Sequence, residues 1–200
     1  MSNVIIHVMQ RKVWLGFIFT LCCQSVSASK LPAVAEVFLI DQQQQETKIA
    51  DITLSADQNQ SDQTGFAITM DYSAFNDHFL SMRPFKCIEG QREWFCHLPY
   101  PYETRSTIGI NDLIDLEYQL LFIRKTPSEF GIDAWNGLYF QLTLNDDQSL
   151  QGQLLEGDLN VLASPPAEPY ARPVDLTEFI EADPSRRLFS SLVIREKARP

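Results

Sequence analysis

The sequence contains little cysteine, glycine and histidine, and its positive charges are outnumbered by its negative ones. Its 200 residues include 4 Cys, 8 Gly and 3 His, and 16 Lys and Arg stand against 26 Asp and Glu. These numbers exclude a collagen and a disulfide-dense miniprotein, and a hydrophobic content of 44% excludes a disordered tail. The length predicts one globular domain of ordinary size.

The sequence also lacks an apolar run that is long enough for a permanent membrane anchor, which needs about 20 residues. Its N-terminal run, from Val13 to Cys23, has 11 residues. Two cations, Arg11 and Lys12, precede the run, and a segment of small residues follows it. This three-part layout is typical of a secretory signal peptide that is removed on export.

We expect cleavage after Ala28, so that residues 1–28 form the signal peptide and residues 29–200 form a single exported domain without a membrane span. The mature chain would have 14 Lys and Arg against 26 Asp and Glu, because the signal contains two cations and no acids. A net charge of −12 repels phosphate groups, and no stripe of cations opposes that field. The sequence therefore predicts no nucleic-acid partner. It predicts a soluble protein of the bacterial periplasm, or alternatively a secreted one.

Two cysteines, Cys87 and Cys96, remain after this cleavage. An even number of cysteines in an exported chain is typical of a disulfide. The polar stretch 89–93 contains a glycine and separates two short apolar segments, which predicts a hairpin that brings the two cysteines together. The alternatives, a metal pair or a redox dithiol, lack the C-x-x-C spacing.

Alternating apolar residues predict strands that are arranged in hairpins. The strongest pattern runs from Leu138 to Leu144, and a turn at 145–148 leads to a return strand within 150–162. Further strands are predicted at 34–40, 49–54, 66–72 and 188–194, and in a segment that ends at 124–125. Short helical segments are predicted at 73–81, 113–120 and 175–180. Because strands follow strands without long helices between them, the sequence predicts an α+β or mainly β fold: a single domain of antiparallel hairpins with a few short helices and one disulfide.

A candidate ligand surface lies between His97 and Arg105, where prolines stiffen the backbone. Its side chains are a histidine, two tyrosines, an acid and a base: His97, Tyr100, Tyr102, Glu103 and Arg105. The hairpin register predicts a partly exposed His97. The five side chains could offer stacking and hydrogen bonds to a sugar or a peptide. The alternative is that both tyrosine rings pack over the sheet with their hydroxyls in water.

The sequence predicts no metal site and no cofactor. The two histidines of the mature chain, His78 and His97, lie in no cluster with metal-ligand spacing. The acidic loop that begins at Asp57 resembles the start of a calcium loop, but it lacks the glycine and the glutamate that such a loop requires. The mature chain also contains no phosphate-binding loop, nucleophile elbow, zinc-protease or dinucleotide motif.

These observations favour an exported, soluble, non-enzymatic accessory or binding protein. Its partner would be a protein, a peptide or a glycan of the exported compartment. An alternative is a hydrolase-like exported enzyme whose site includes His97 and Glu103. A further alternative is that a free edge strand of the sheet binds a partner chain by strand addition.

Export is expected to remove residues 1–28, because a charged start, a short apolar run and small residues form a processing signal. The intact mass of the exported protein should therefore correspond to a chain that begins at Ser29. A mature protein that retains Met1, or one that carries a lipid on Cys23, would contradict this interpretation.

Overall fold

The computed structural model of the chain describes residues 32–56 and 63–198. The predicted signal peptide and the calcium-like loop that begins at Asp57 lie outside these residues. Within the described ranges, no helix has the length and apolar character needed to cross a membrane.

Twelve antiparallel strands form a single sheet in the described part of the chain. The strands are β1 (Val34–Asp41), β2 (Glu46–Ala56), β3 (Thr64–Met70), β4 (Asn76–Leu80), β5 (Arg83–Glu89), β6 (Trp94–His97), β7 (Thr107–Ile108), β8 (Phe122–Lys125), β9 (Gly137–Leu144), β10 (Leu150–Gly157), β11 (Ile180–Glu181) and β12 (Phe189–Glu196). Their order across the sheet is β4-β5-β6-β8-β9-β10-β12-β1-β2-β3-β7, and β11 pairs with β10. The predicted fold class, mainly antiparallel strands with little helix and one disulfide, is confirmed.

Both ends of the sheet contribute to one apolar core, so the sheet curls around it. Phe66 and Ile108 come from the β3–β7 end, whereas Phe95 comes from β6, near the opposite end. Tyr72, two residues beyond β3, reaches His97 at the end of β6, and their ring centroids are 5.9 Å apart. The curvature of the sheet therefore depends on contacts between residues far apart in the chain, and the strand pattern in the sequence does not predict it.

A second apolar cluster covers the outer face of β9. Leu138, Phe140 and Leu142 point into the main core, whereas Tyr139 points to this second cluster. The alternation of side chains predicted for β9 is therefore confirmed. The cover is residues 158–179, which we call the strap. It contributes Leu159, Leu162, Val174, Leu176 and Phe179.

The helical turns predicted at 73–81 are wrong, because β4 occupies this segment. Asn76 pairs with Cys87 across the β4–β5 ladder, and Leu80 pairs with Arg83. The two turn residues, Ser81 and Met82, have φ of 45° and 64°, as a tight two-residue hairpin requires. Strand pairing thus overrides the helix-like spacing of the apolar residues.

The predicted helix at 113–120 is present but short. Its α-helical part, α1, comprises Ile114–Glu117, and a 3₁₀ turn continues over Tyr118–Leu120. The helix predicted at 175–180 is a 3₁₀ turn over Leu176–Glu178, and the Asp175 side chain accepts a hydrogen bond from the Thr177 amide at its start. Three further 3₁₀ turns in the described residues span Ala134–Asn136, Asn160–Ala163 and Pro184–Arg186.

The predicted disulfide is confirmed. Cys87 and Cys96 are directly opposite one another in β5 and β6, and their α-carbons are 3.9 Å apart. Both cysteines are fully buried beside Leu80.

Replacing both cysteines by serine (Cys87→Ser, Cys96→Ser) should give a protein that still folds but melts at a lower temperature. The loop that the bridge closes is short, so the chain-entropy model gives about 2.5 kcal/mol at most. Calorimetry of the exported protein measures this loss. Thiol titration of the unreduced, denatured protein should find no free thiol at these two positions, and finding two would contradict the bridge.

Candidate functional site

His97 is buried, and the expectation that it is partly exposed is wrong. Only 4% of its surface is accessible, because Tyr72 and Phe122 pack against its ring. Nε2 lies 3.0 Å from the Gln119 carbonyl oxygen, which can only accept, so Nε2 carries the proton. Nδ1 then accepts a hydrogen bond from the Tyr72 hydroxyl at 3.0 Å. Burial lowers the pKa of His97, which favours this neutral form.

The hydroxyls of Tyr100 and Tyr102 bind the strap. Tyr100 donates to the Ala171 carbonyl at 3.1 Å, and Tyr102 donates to the Leu162 carbonyl at 3.0 Å. The two rings meet edge to face with centroids 5.5 Å apart. Both rings are therefore packed within the protein. The packing alternative placed their hydroxyls in water, whereas both hydroxyls bond to backbone carbonyls. Their predicted role as ligand-binding residues stays a prediction.

Glu103 and Arg105 are exposed. The Arg105 guanidinium lies over the ring of Tyr170, 5.9 Å from its centroid. Among the described residues, no hydrogen bond or ion pair joins His97 to Glu103. The structure thus does not combine these two side chains into an acid–base pair.

A groove of about 600 Å³ lies along the outer half of β9, and we call it the β9 groove. Its walls are the segment before α1, one side of α1, the outer half of β9 with the following turn, and the tip of the strap. The lining residues are Ile110, Asn111, Leu113, Ile114, Glu117, Gln141, Leu142, Thr143, Leu144, Asn145, Asp146 and Leu176. This volume is within the range of about 300–1,000 Å³ that is usual for ligand sites.

The β9 groove follows an open strand edge. β8 pairs with β9 only at Gly137 and Leu138, whereas β10 pairs with β9 along its whole length. Beyond Leu138, no other described strand pairs with β9 on the β8 side. The backbone groups of Leu142 and Leu144 point to this side, because the odd-numbered residues of β9 form the bonds to β10.

Glu117 partly fills this open edge. Its carboxylate accepts a hydrogen bond from the Leu142 amide at 2.6 Å and another from the Tyr139 hydroxyl. The side chain is almost fully buried, and desolvation raises its pKa despite these two donors. Burial beside Glu117 also raises the pKa of Tyr139, so the phenol remains the proton donor of the pair.

Ion pairs join the strap to α1 and to the segment before it, beside the groove. Arg172 of the strap donates to Asp115 at 2.9 Å and to both oxygens of Asp112 at 2.8 and 2.9 Å. Asp115 is buried, and its Oδ2 has no hydrogen-bond partner in the described structure. Two carboxylates therefore share one guanidinium, and Glu117 on the same helix has no ion pair in the described structure, so the charge beside the groove is negative.

The lining of the β9 groove combines apolar side chains with acids and amides. Its lining includes no histidine, cysteine, serine, lysine or arginine, and its hydroxyl and carboxylate groups belong to Thr143, Glu117 and Asp146. In the described ranges, no group of three His, Cys, Asp or Glu side chains is arranged to hold a metal ion. The groove thus combines apolar side chains, the edge of β9 that β8 leaves uncovered, and exposed amide side chains.

The sequence did not predict this site, because its lining residues come from three separate segments, 110–117, 141–146 and residue 176, which only the fold brings together. The patterns around Leu113 and Leu138 were visible as a short helix and a strand. No local signal shows that β8 is too short to cover β9, and a glutamate in a short helix is ordinarily a solvated side chain.

Comparison with known proteins finds no family model, no curated protein and no solved structure that matches the chain. The function must therefore be argued from the site itself.

Glu117 should make stability depend on pH. Because its pKa is raised in the folded state, the unfolded chain loses this proton first as pH rises above about 4.3. The folded protein therefore loses stability as pH rises through the raised pKa. Glu117→Gln removes this titration, so the amount by which the wild type melts above the variant should shrink as pH rises from about 4 through the raised pKa of Glu117. A difference that stays constant, or grows, would contradict the raised pKa.

Proposed function

We propose that this chain is an exported, non-enzymatic binding protein that holds an extended segment of a partner polypeptide in the β9 groove. The observation that supports this most directly is the open edge of β9 beside an apolar groove. A strand edge offers amide and carbonyl groups in the spacing that another extended chain matches. Apolar side chains of the partner would lie against Leu113, Ile114 and Leu144, which line the same groove.

The hydrolase-like alternative receives less support from the geometry. A general base must reach the proton that it removes. Both ring nitrogens of His97 already have partners inside the protein, and the ring has almost no access to solvent. Glu103 does not bond to it in the described structure. The arrangement of His97 is that of a structural side chain in the core.

Export into an oxidising compartment is part of the proposal. The Cys87–Cys96 bridge is compatible with it, because disulfides persist outside the reducing cytosol. The N-terminal layout of cations, apolar run and small residues supports the same route, and the expected compartment is the bacterial periplasm. A negatively charged exported protein is also suited to positively charged partners.

Panning random peptides displayed on phage against the mature protein tests the proposal. Selected peptides should be extended and apolar in part, and on binding they should shift the backbone amide signals of residues 142–145 in NMR spectra. Hydrogen exchange at the Leu144 amide should slow, because the added strand supplies an acceptor.

Gln141→Trp should weaken the selected peptides about tenfold by filling the groove. Gln153→Trp is the matched control, since Gln153 is exposed, pairs directly with Gln141, and lies outside the groove lining. Equal effects of the two changes would contradict the proposal. Binding that is lost only when Tyr100 and Tyr102 are replaced would instead place the ligand on the loop predicted from sequence.

A further inference from the structure

We infer that the segment bound in the β9 groove carries a lysine or an arginine, whose charge pairs with Glu117 and Asp146. This inference rests on the proposed function and names the chemistry of the partner. It begins from the charges of the groove lining, which contains two carboxylates and no cation.

The carboxylates of the β9 groove are not neutralised by their surroundings. Arg172 does not line the groove, and its guanidinium is bonded to Asp112 and Asp115 on another side of α1. Asp112 and Asp115 together already exceed the charge of Arg172. Glu117 forms no ion pair among the described residues, and neither does Asp146. The field in the groove is therefore negative, and a cation that enters it meets no competing positive charge.

Glu117 has room for another donor. Its two hydrogen bonds come from the Leu142 amide and the Tyr139 hydroxyl, whereas a carboxylate has about four acceptor positions. Both present donors are neutral, so they do not cancel its charge. A buried carboxylate without a cation is costly, and a cationic side chain that lies in the groove would lower that cost.

The apolar walls fit the stem of such a side chain. Lysine and arginine have long apolar stems that pack on apolar surface while the charged end reaches a polar partner. Leu113, Ile114 and Leu144 line the same groove as Glu117 and provide that surface. Asp146, in the exposed turn after β9, provides a second carboxylate at the open end of the groove.

The rim favours a polypeptide backbone as the carrier of this charge. Asn111, Gln141 and Asn145 are exposed amide side chains that line the groove. Each can both donate to a carbonyl and accept from an amide, which are the two groups that a peptide backbone presents. An extended segment with apolar residues and a basic one therefore satisfies the walls, the floor and the rim together.

The test uses a peptide selected on phage, in two synthetic forms that differ by acetylation of one lysine. The lysine form should bind the mature protein about tenfold more tightly than the acetyl-lysine form at low salt, and this difference should shrink as salt is raised. Glu117→Gln and Asp146→Asn should each reduce the difference. Asp77→Asn is the control, because Asp77 is exposed on β4 at the far edge of the sheet and its replacement removes the same net charge.

Two outcomes separate the inference from the function on which it rests. Selected peptides that are neutral, or whose acetylated form binds equally well in the groove, would overturn the inference and leave the proposed function standing. Peptides that bind elsewhere, or a library that yields no binder, would overturn both. If Glu117→Gln does not fold, Asp146→Asn decides the matter, because this exposed turn residue forms no described hydrogen bond.

Discussion

The short length of β8 is the constraint from which the site arises. Four residues of β8 stand beside eight of β9, and pairing extends over two of them. The outer half of β9 therefore needs other partners for its backbone, since buried amide groups are costly when they are left unbonded. Glu117 supplies one acceptor, and α1 must lie against β9 for that acceptor to reach Leu142.

The position of α1 in turn requires the strap to supply hydrogen-bond and ion-pair partners for α1 and the turn after it. Helix α1 has a buried acid, Asp115, on another side, and Arg172 reaches it from the strap. Tyr118, in the 3₁₀ turn after α1, accepts a hydrogen bond from the Val174 amide at 3.0 Å. Burial raises the pKa of this phenol to about 12, so the hydroxyl is neutral at any ordinary pH. Hydrogen bonds and ion pairs thus add to the apolar contacts of the second cluster in joining α1, the turn after it and the strap.

Strands were predictable from the sequence where apolar residues alternate regularly over a short segment. β9 is the clearest case, because Leu138, Phe140 and Leu142 face one core in regular alternation. The disulfide was predictable because a polar turn separates Cys87 from Cys96 by a short distance along the chain. β4 was not predictable, since its identity depends on a ladder with β5 and on two turn residues in the left-handed region, Ser81 and Met82. His97 was misplaced because Tyr72, which buries it, is 25 residues away in sequence.

The way in which the strap is fastened has a consequence for motion. Tyr100, Tyr102, Tyr118 and Arg172 fix it through hydrogen bonds, and Leu176 near its end forms part of the groove wall. Such a segment opens as one cooperative unit, because releasing any single fastening leaves the others in place. An occupant that stabilises Leu176 would therefore slow the opening of the whole segment, as far back as Leu162. Binding in the groove would then slow the local unfolding of the strap around Leu162, which the occupant does not touch. This effect needs no change in the average structure.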